Sequence, residues 1–125
     1  MVRFGKKHNP LVILLAHLAL GKRARLYQLA FIAELSNQFD HVVLMGDLNC
    51  QPNSQEIRTL IRNSNLCAPL THEDTFPSWR PARKLDYILV TPSLIVKNIQ
   101  VLKHAVSDHL PIAVDIAIPK EIHIS

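Results

Sequence analysis

A chain of 125 residues that is 48% hydrophobic and 19% charged suits one small domain and excludes both two independent domains and wholesale disorder. Three Gly and eight Pro exclude a collagen-like or Gly-rich linker chain. Fourteen Lys and Arg against ten Asp and Glu give a formal net charge of +4, a mildly basic balance that admits an anionic partner without requiring one.

Arg3, Lys6 and Lys7 precede an apolar run from Leu11 to Leu20, an arrangement that imitates the basic and apolar regions of a signal peptide. The run is interrupted by His17, followed at once by Lys22, Arg23 and Arg25, and bounded by Pro10 and Gly21. It is too short to cross a bilayer, so residues 11–18 are predicted as a buried strand, with no stable membrane insertion. Residues 23–38 read as a helix with Leu26, Leu29, Ala30, Ala33 and Leu35 on a broad apolar face. His41 to Met45 is a short apolar strand ending at Gly46. Asn53 is the expected cap of a helix over 54–63, with Glu56 three residues on as in a capping box and Ile57, Leu60 and Ile61 facing inward. The stretch 71–84 is loop-like, with Pro77, Pro81, Phe76 and Trp79. Leu85 to Val90 is a strand stopped by Thr91-Pro92, residues 98–105 form another, and Leu110 to Ile118 alternates with a period of two. Strand, helix, strand, helix and three strands predict an α/β layer with a mixed sheet, helices on one face and the last three strands antiparallel.

Two cysteines, Cys50 and Cys67, show neither CxxC spacing nor a zinc pattern, so reduced thiols in a cytoplasmic protein are the default reading.

Acids and histidines interrupt the apolar strands or sit at their ends. Asp47 and Asn49 follow the second strand in Gly46-Asp47-Leu48-Asn49; Asp86 lies in Leu85-Asp86-Tyr87-Ile88; Asp108 and His109 lie in Ser107-Asp108-His109-Leu110-Pro111; His17 lies in Ala16-His17-Leu18. Singly, each has a plain structural explanation: an Asx turn, a paired core carboxylate, a polar turn, a satisfied core histidine. Together, on strand ends along one sheet edge, they would converge in one cleft. Carboxylates there can hold Mg²⁺ and orient a water, while amide and imidazole N–H groups donate to phosphoryl oxygens.

These four segments, with Arg25-Leu26-Tyr27-Gln28-Leu29 after the first, resemble the endonuclease/exonuclease/phosphatase superfamily, which includes DNase I-like nucleases, abasic-site endonucleases, neutral sphingomyelinases and inositol-polyphosphate phosphatases. They occur in the family's order over about residues 11–117. The resemblance implies that residues 1–125 form the C-terminal half of such a domain, half of a DNase I-like four-layer α/β sandwich. It implies a Mg²⁺- or Mn²⁺-dependent phosphoesterase acting on a phosphate-ester substrate, nucleic acid among the options. By resemblance Asp47 activates the attacking water, Asn49 bonds the scissile phosphate, His109 contacts the phosphate with Asp86 as its partner, Asp108 assists the metal, and His17 is a second phosphate-facing imidazole. Arg25 and Gln28 are read as pinning the helix. Trp79, Arg80 and Arg83 are read either as a substrate rim or as a plain surface loop.

The family's first half normally supplies an Asn and the Glu that is the principal metal ligand, and nothing upstream of His17 takes those parts. The expectation is therefore an exposed apolar sheet face on strands 11–18, 41–45 and 110–118, covered by a missing N-terminal half or by homo-oligomerisation. Non-catalytic phosphate or nucleic-acid binding, and an inactive fragment, are the competing readings.

Overall fold

The structure is a computed structural model that describes residues 1–5, 9–51, 53–67, 86–101 and 112–117; for 96–101 and 112–117 it describes the backbone. The elements run β1 (Val2–Phe4), β2 (Leu11–His17), α1 (Lys22–Ser36), β3 (His41–Asp47), α2 (Gln55–Asn63), β4 (Asp86–Val90), β5 (Ile95–Val101) and β6 (Ile112–Ala117). The first four strands form a mixed sheet in the order β1-β2-β3-β4. β2 and β3 are parallel, joined by the α1 crossover, while β1–β2 and β3–β4 are antiparallel. β5 and β6 form a separate antiparallel ladder, so the three strands expected last in one sheet are divided: β4 completes the first sheet and the other two pair with each other.

Period-two alternation sorts the strand residues between two faces. Val12, Leu14, Val42, Leu44, Tyr87 and Leu89 point to the face that receives both helices, through Leu29, Ile32 and Ala33 of α1 and Ile57 and Leu60 of α2. Burial of each such aliphatic side chain contributes about 2 kcal/mol. The opposite face holds a smaller cluster of Leu11, Val43, Ile88, Val90 and Leu94, with Phe4, Ile13 and Met45 packed against it. The sheet face expected to be exposed on strands 11–18 and 41–45 is instead buried at Leu11 and Val43, with Phe4 of β1 beside Leu11 and Leu94 from the turn after β4 in the same cluster. Leu15 is the exception, 67% exposed. The third expected contributor, 110–118, lies outside the residues whose side chains are described.

Two helix details differ from expectation. In α1, Leu26 and Ala30 are exposed, and Leu29, Ile32, Ala33 and Ser36 are buried. Apolar residues surround so much of this helix that periodicity does not select a face; packing against the sheet selects the i, i+3, i+4, i+7 set. In α2 the N-cap is Ser54, not Asn53: the Ser54 hydroxyl accepts from the Ile57 backbone N–H at 3.3 Å. Glu56 therefore falls at the second helical position rather than the capping-box position, and its carboxylate is used elsewhere.

Candidate functional site

β2 and β3 end side by side, His17 opposite Asp47 in the parallel register and Asp47 opposite Asp86 in the antiparallel one. The close approach of these strand ends needs a glycine. Gly46 has φ +137°, and a Cβ there would lie 1.9 Å from the Ala16 carbonyl oxygen. Beyond Asp47 the chain turns through Asn49 at φ 51°, the left-handed region that Asn tolerates better than most residues.

The turn is built from its own polar groups. The Asp47 Oδ1 accepts from the Asn49 backbone N–H at 2.9 Å, an Asx turn. The Leu18 N–H donates to the Asp47 carbonyl at 2.9 Å, and the Asn49 side-chain amide donates to the Leu18 carbonyl at 2.5 Å. The other carboxylate oxygen of Asp47 lies 3.8 Å from His17 Nε2. The His17 side chain is 81% exposed, so the satisfied-core explanation does not apply to it. His17, Asp47 and Asn49 are thus brought together at one sheet edge, and Asp86 is placed at that edge by register. The other residues expected at the site, Asp108 and His109, and the rim candidates Trp79, Arg80 and Arg83, lie outside the described residues.

Four side chains, Tyr87, Arg25, Glu56 and Gln28, brace the turn and the loop after β2. The Tyr87 hydroxyl donates to the Cys50 carbonyl at 2.5 Å, tying β4 to the segment after Asn49. Burial pushes the Tyr87 phenol well above its ordinary range, and burial followed by the nearby Glu56 carboxylate pushes the Cys50 thiol up to about 11. Both groups are therefore neutral near pH 7. The Arg25 guanidinium donates through Nε and Nη2 to one oxygen of Glu56 at 2.7 and 2.5 Å, and through Nη1 to the Leu20 carbonyl at 2.7 Å and the Ala19 carbonyl at 3.3 Å. Gln28 accepts from the Ala19 N–H at 2.9 Å. Arg25 and Gln28 thus act on the loop after β2. The Glu56 and Tyr87 roles carry no local sequence signal, because their partners are 31 and 37 residues away.

Among the described residues, no group of three or more His, Cys, Asp or Glu side chains could hold a metal ion. The described residues alone do not make the divalent-cation centre that the resemblance implies. An open groove of about 500 Å³ lies on the far side of β2, lined by Leu15, Tyr27, Phe31 and Leu35 with His17 among its lining residues. Its lining is mainly apolar, and it adjoins the polar turn through His17 and Leu18. No helix among the described residues is long and apolar enough to cross a membrane.

The profile of the Endonuclease/Exonuclease/phosphatase family matches residues 8–109. No curated protein matches the chain in sequence. Among solved structures, a mannosyl-6-phosphatase of Bacteroides thetaiotaomicron superposes with a TM-score of 0.76 at 20% identity, over 90% of this chain and 53% of its own. A functionally unknown conserved protein of Enterococcus faecalis gives 0.73 at 21% identity, over 90% and 52%. The inositol polyphosphate 5-phosphatase domain of SPsynaptojanin, in complex with inositol (1,4)-bisphosphate and calcium, gives 0.65 at 18% identity, over 90% and 48%. At these identities the likeness shows the fold, a DNase I-like α/β arrangement, and the chain spans about half the length of each neighbour.

Proposed function

From the premise that the chain belongs to the endonuclease/exonuclease/phosphatase family, we propose that it is the phosphate-handling half of a metal-dependent phosphoesterase, hydrolysing a phosphodiester or phosphomonoester by an Asp-activated water. The observation that carries this reading is the turn in which Asp47, Asn49 and His17 converge at the end of the β2–β3 pair. In this proposal Asp47 orients the water and takes its proton. Asn49 spends one side-chain N–H on the Leu18 carbonyl, which fixes the amide plane and leaves its second N–H for a phosphoryl oxygen. His17 approaches the same phosphate from solvent, and Asp86 orients His109, which donates to the phosphoryl group as charge builds. A Mg²⁺ or Mn²⁺ ion would draw on Asp108 and on a ligand supplied from outside this chain, and would supply charge stabilisation at the phosphoryl group.

The complementary half-domain, or a second copy of this chain, covers Leu15 and the neighbouring apolar surface in this reading. A cytoplasmic location is consistent with two free cysteines, Cys50 and Cys67. The test is hydrolysis of a generic phosphodiester and a phosphomonoester, with and without Mg²⁺, by the chain and by Asp47→Ala. Metal-stimulated turnover that Asp47→Ala abolishes supports the proposal. Equal inertness of both, with salt-dependent binding of an oligonucleotide, replaces it with a binding module.

A further inference from the structure

Arg25 sits in the first turn of α1, where a cation opposes the helix dipole. That turn has no acidic residue, and the helix has no side-chain cap. Yet the Arg25 side chain is only 11% exposed and that of Glu56 only 8%. A buried ion pair is weak evidence for stability in itself, since desolvation offsets much of the attraction. Its placement in the chain is the informative feature. α1 begins directly after the loop that follows His17, and α2 begins at Gln55, with five residues between it and the turn that carries Asp47 and Asn49. The same guanidinium also holds the Ala19 and Leu20 carbonyls. One side chain therefore joins the loop after β2 to the helix after β3.

We propose that Arg25 and Glu56 are a positioning pair: they hold the Leu18–Leu20 loop against the Asp47–Asn49 turn, so that Asn49 and His17 keep one fixed relation to Asp47. The functional meaning of this pair rests on the phosphate-handling reading above; its structural action does not. Neither residue is a catalytic residue, because neither reaches the turn's exposed groups. Arg25 is suited to the task because its planar fork serves a carboxylate and a carbonyl at once. A lysine in its place keeps the charge but loses that shared geometry.

The test is amide hydrogen exchange by NMR on the whole chain, in wild type, Arg25→Lys and Glu56→Gln. It is paired with a titration of inorganic phosphate followed at the Asn49 side-chain amide. Both variants are expected to fold, with the β2–β3 ladder amides exchanging as in wild type, while the Leu18 and Ala19 amides exchange about tenfold faster. The phosphate-induced shift of Asn49 is expected to weaken in both. If Leu18, Ala19 and the ladder amides all accelerate by one factor, or if none changes, the pair is only a stability element and the proposal is overturned. If the loop amides accelerate selectively but wild-type Asn49 never responds to phosphate, the positioning pair stands and the phosphate-handling reading falls. Should Glu56→Gln fail to fold, Arg25→Lys alone decides, since it retains the buried charge.

Discussion

At one end of the four-stranded sheet His41 is 4% exposed, its Nδ1 lies 2.8 Å from the Ser93 hydroxyl, and Ser93 in turn donates to the Asp40 carbonyl at 2.9 Å. Thr91 closes the same end, accepting from the Val42 N–H through its hydroxyl at 3.0 Å and donating its own N–H to the Val42 carbonyl at 3.0 Å. At the other end His17 stands in solvent beside Asp47, and the backbone passes through Gly46 and Asn49 at positive φ. Both ends carry a strand-terminal histidine and short polar side chains. At the His41 end those groups are spent on closing the sheet. At the His17 end the backbone passes through the left-handed region and the imidazole is left outside. A histidine at a strand end is therefore not by itself a signal of function; burial is what separates these two.

The largest expected effect separates the His17 end from ordinary loop ends. Gly46→Ala places a methyl group against the Ala16 carbonyl in a backbone region closed to alanine, with an expected loss of about 3 kcal/mol or more in denaturant unfolding. A loss below about 1 kcal/mol would mean that the β2–β3 approach is not held as described. The two histidines then set the ends against each other. His41→Ala empties a buried site and is expected to lower stability by about 2 kcal/mol, whereas His17→Ala should stay within about 0.5 kcal/mol. Equal costs in parallel urea titrations would erase the distinction between the ends. Thr91→Val, nearly isosteric, leaves the buried Val42 N–H without its hydroxyl partner; about 1–2 kcal/mol should be lost, with the Asn49 amide resonance unmoved.

What the sequence made legible follows the same division. β2, β3 and β4 lie within two residues of their predicted bounds because Pro10 and the Thr91-Pro92 pair punctuate apolar runs of strand length; β3 runs on through Gly46, the expected stop, to Asp47. The gathering of His17, Asp47 and Asn49 was legible too, since parallel strands joined by a helical crossover end on the same edge. β1 was not, because three residues without a pattern become a strand only through pairing with β2. Asn53 and Ser54 are equally good caps, and the burial of Ile57 and Leu60 decides between them. Glu56 looked like a local cap because sequence shows neighbours, and its partner Arg25 is one crossover away. The two histidines differ for the same reason: burial is conferred by segments distant in the chain.

The smallest expected loss of stability concerns pH, His17→Ala being expected to cost almost nothing, and it lies beneath the turn rather than in it. Cys50 ionises at about 11 in the folded protein against an ordinary value of 9.0, raised first by burial and then by Glu56. The folded state therefore holds this proton to higher pH than the unfolded chain does. The stabilisation is fully present below pH 9 and is lost as pH rises from about 9 to 11, because only the unfolded thiol can ionise in that window. At pH 10 this amounts to roughly 1 kcal/mol. Tyr87, raised further and bonded through its hydroxyl to the Cys50 carbonyl, adds a second alkaline loss that begins nearer its ordinary value of 10.0. Denaturant midpoints measured from pH 7 to 10.5 should fall in wild type, fall less in Cys50→Ala, and fall less again in Cys50→Ala combined with Tyr87→Phe. If Cys50→Ala follows the wild-type slope, the thiol is accessible to water in the folded chain, and the layer that supports the Asp47–Asn49 turn is wetter than its packing indicates. The pH dependence thus reads the one part of the site that hydrolysis and phosphate binding do not touch.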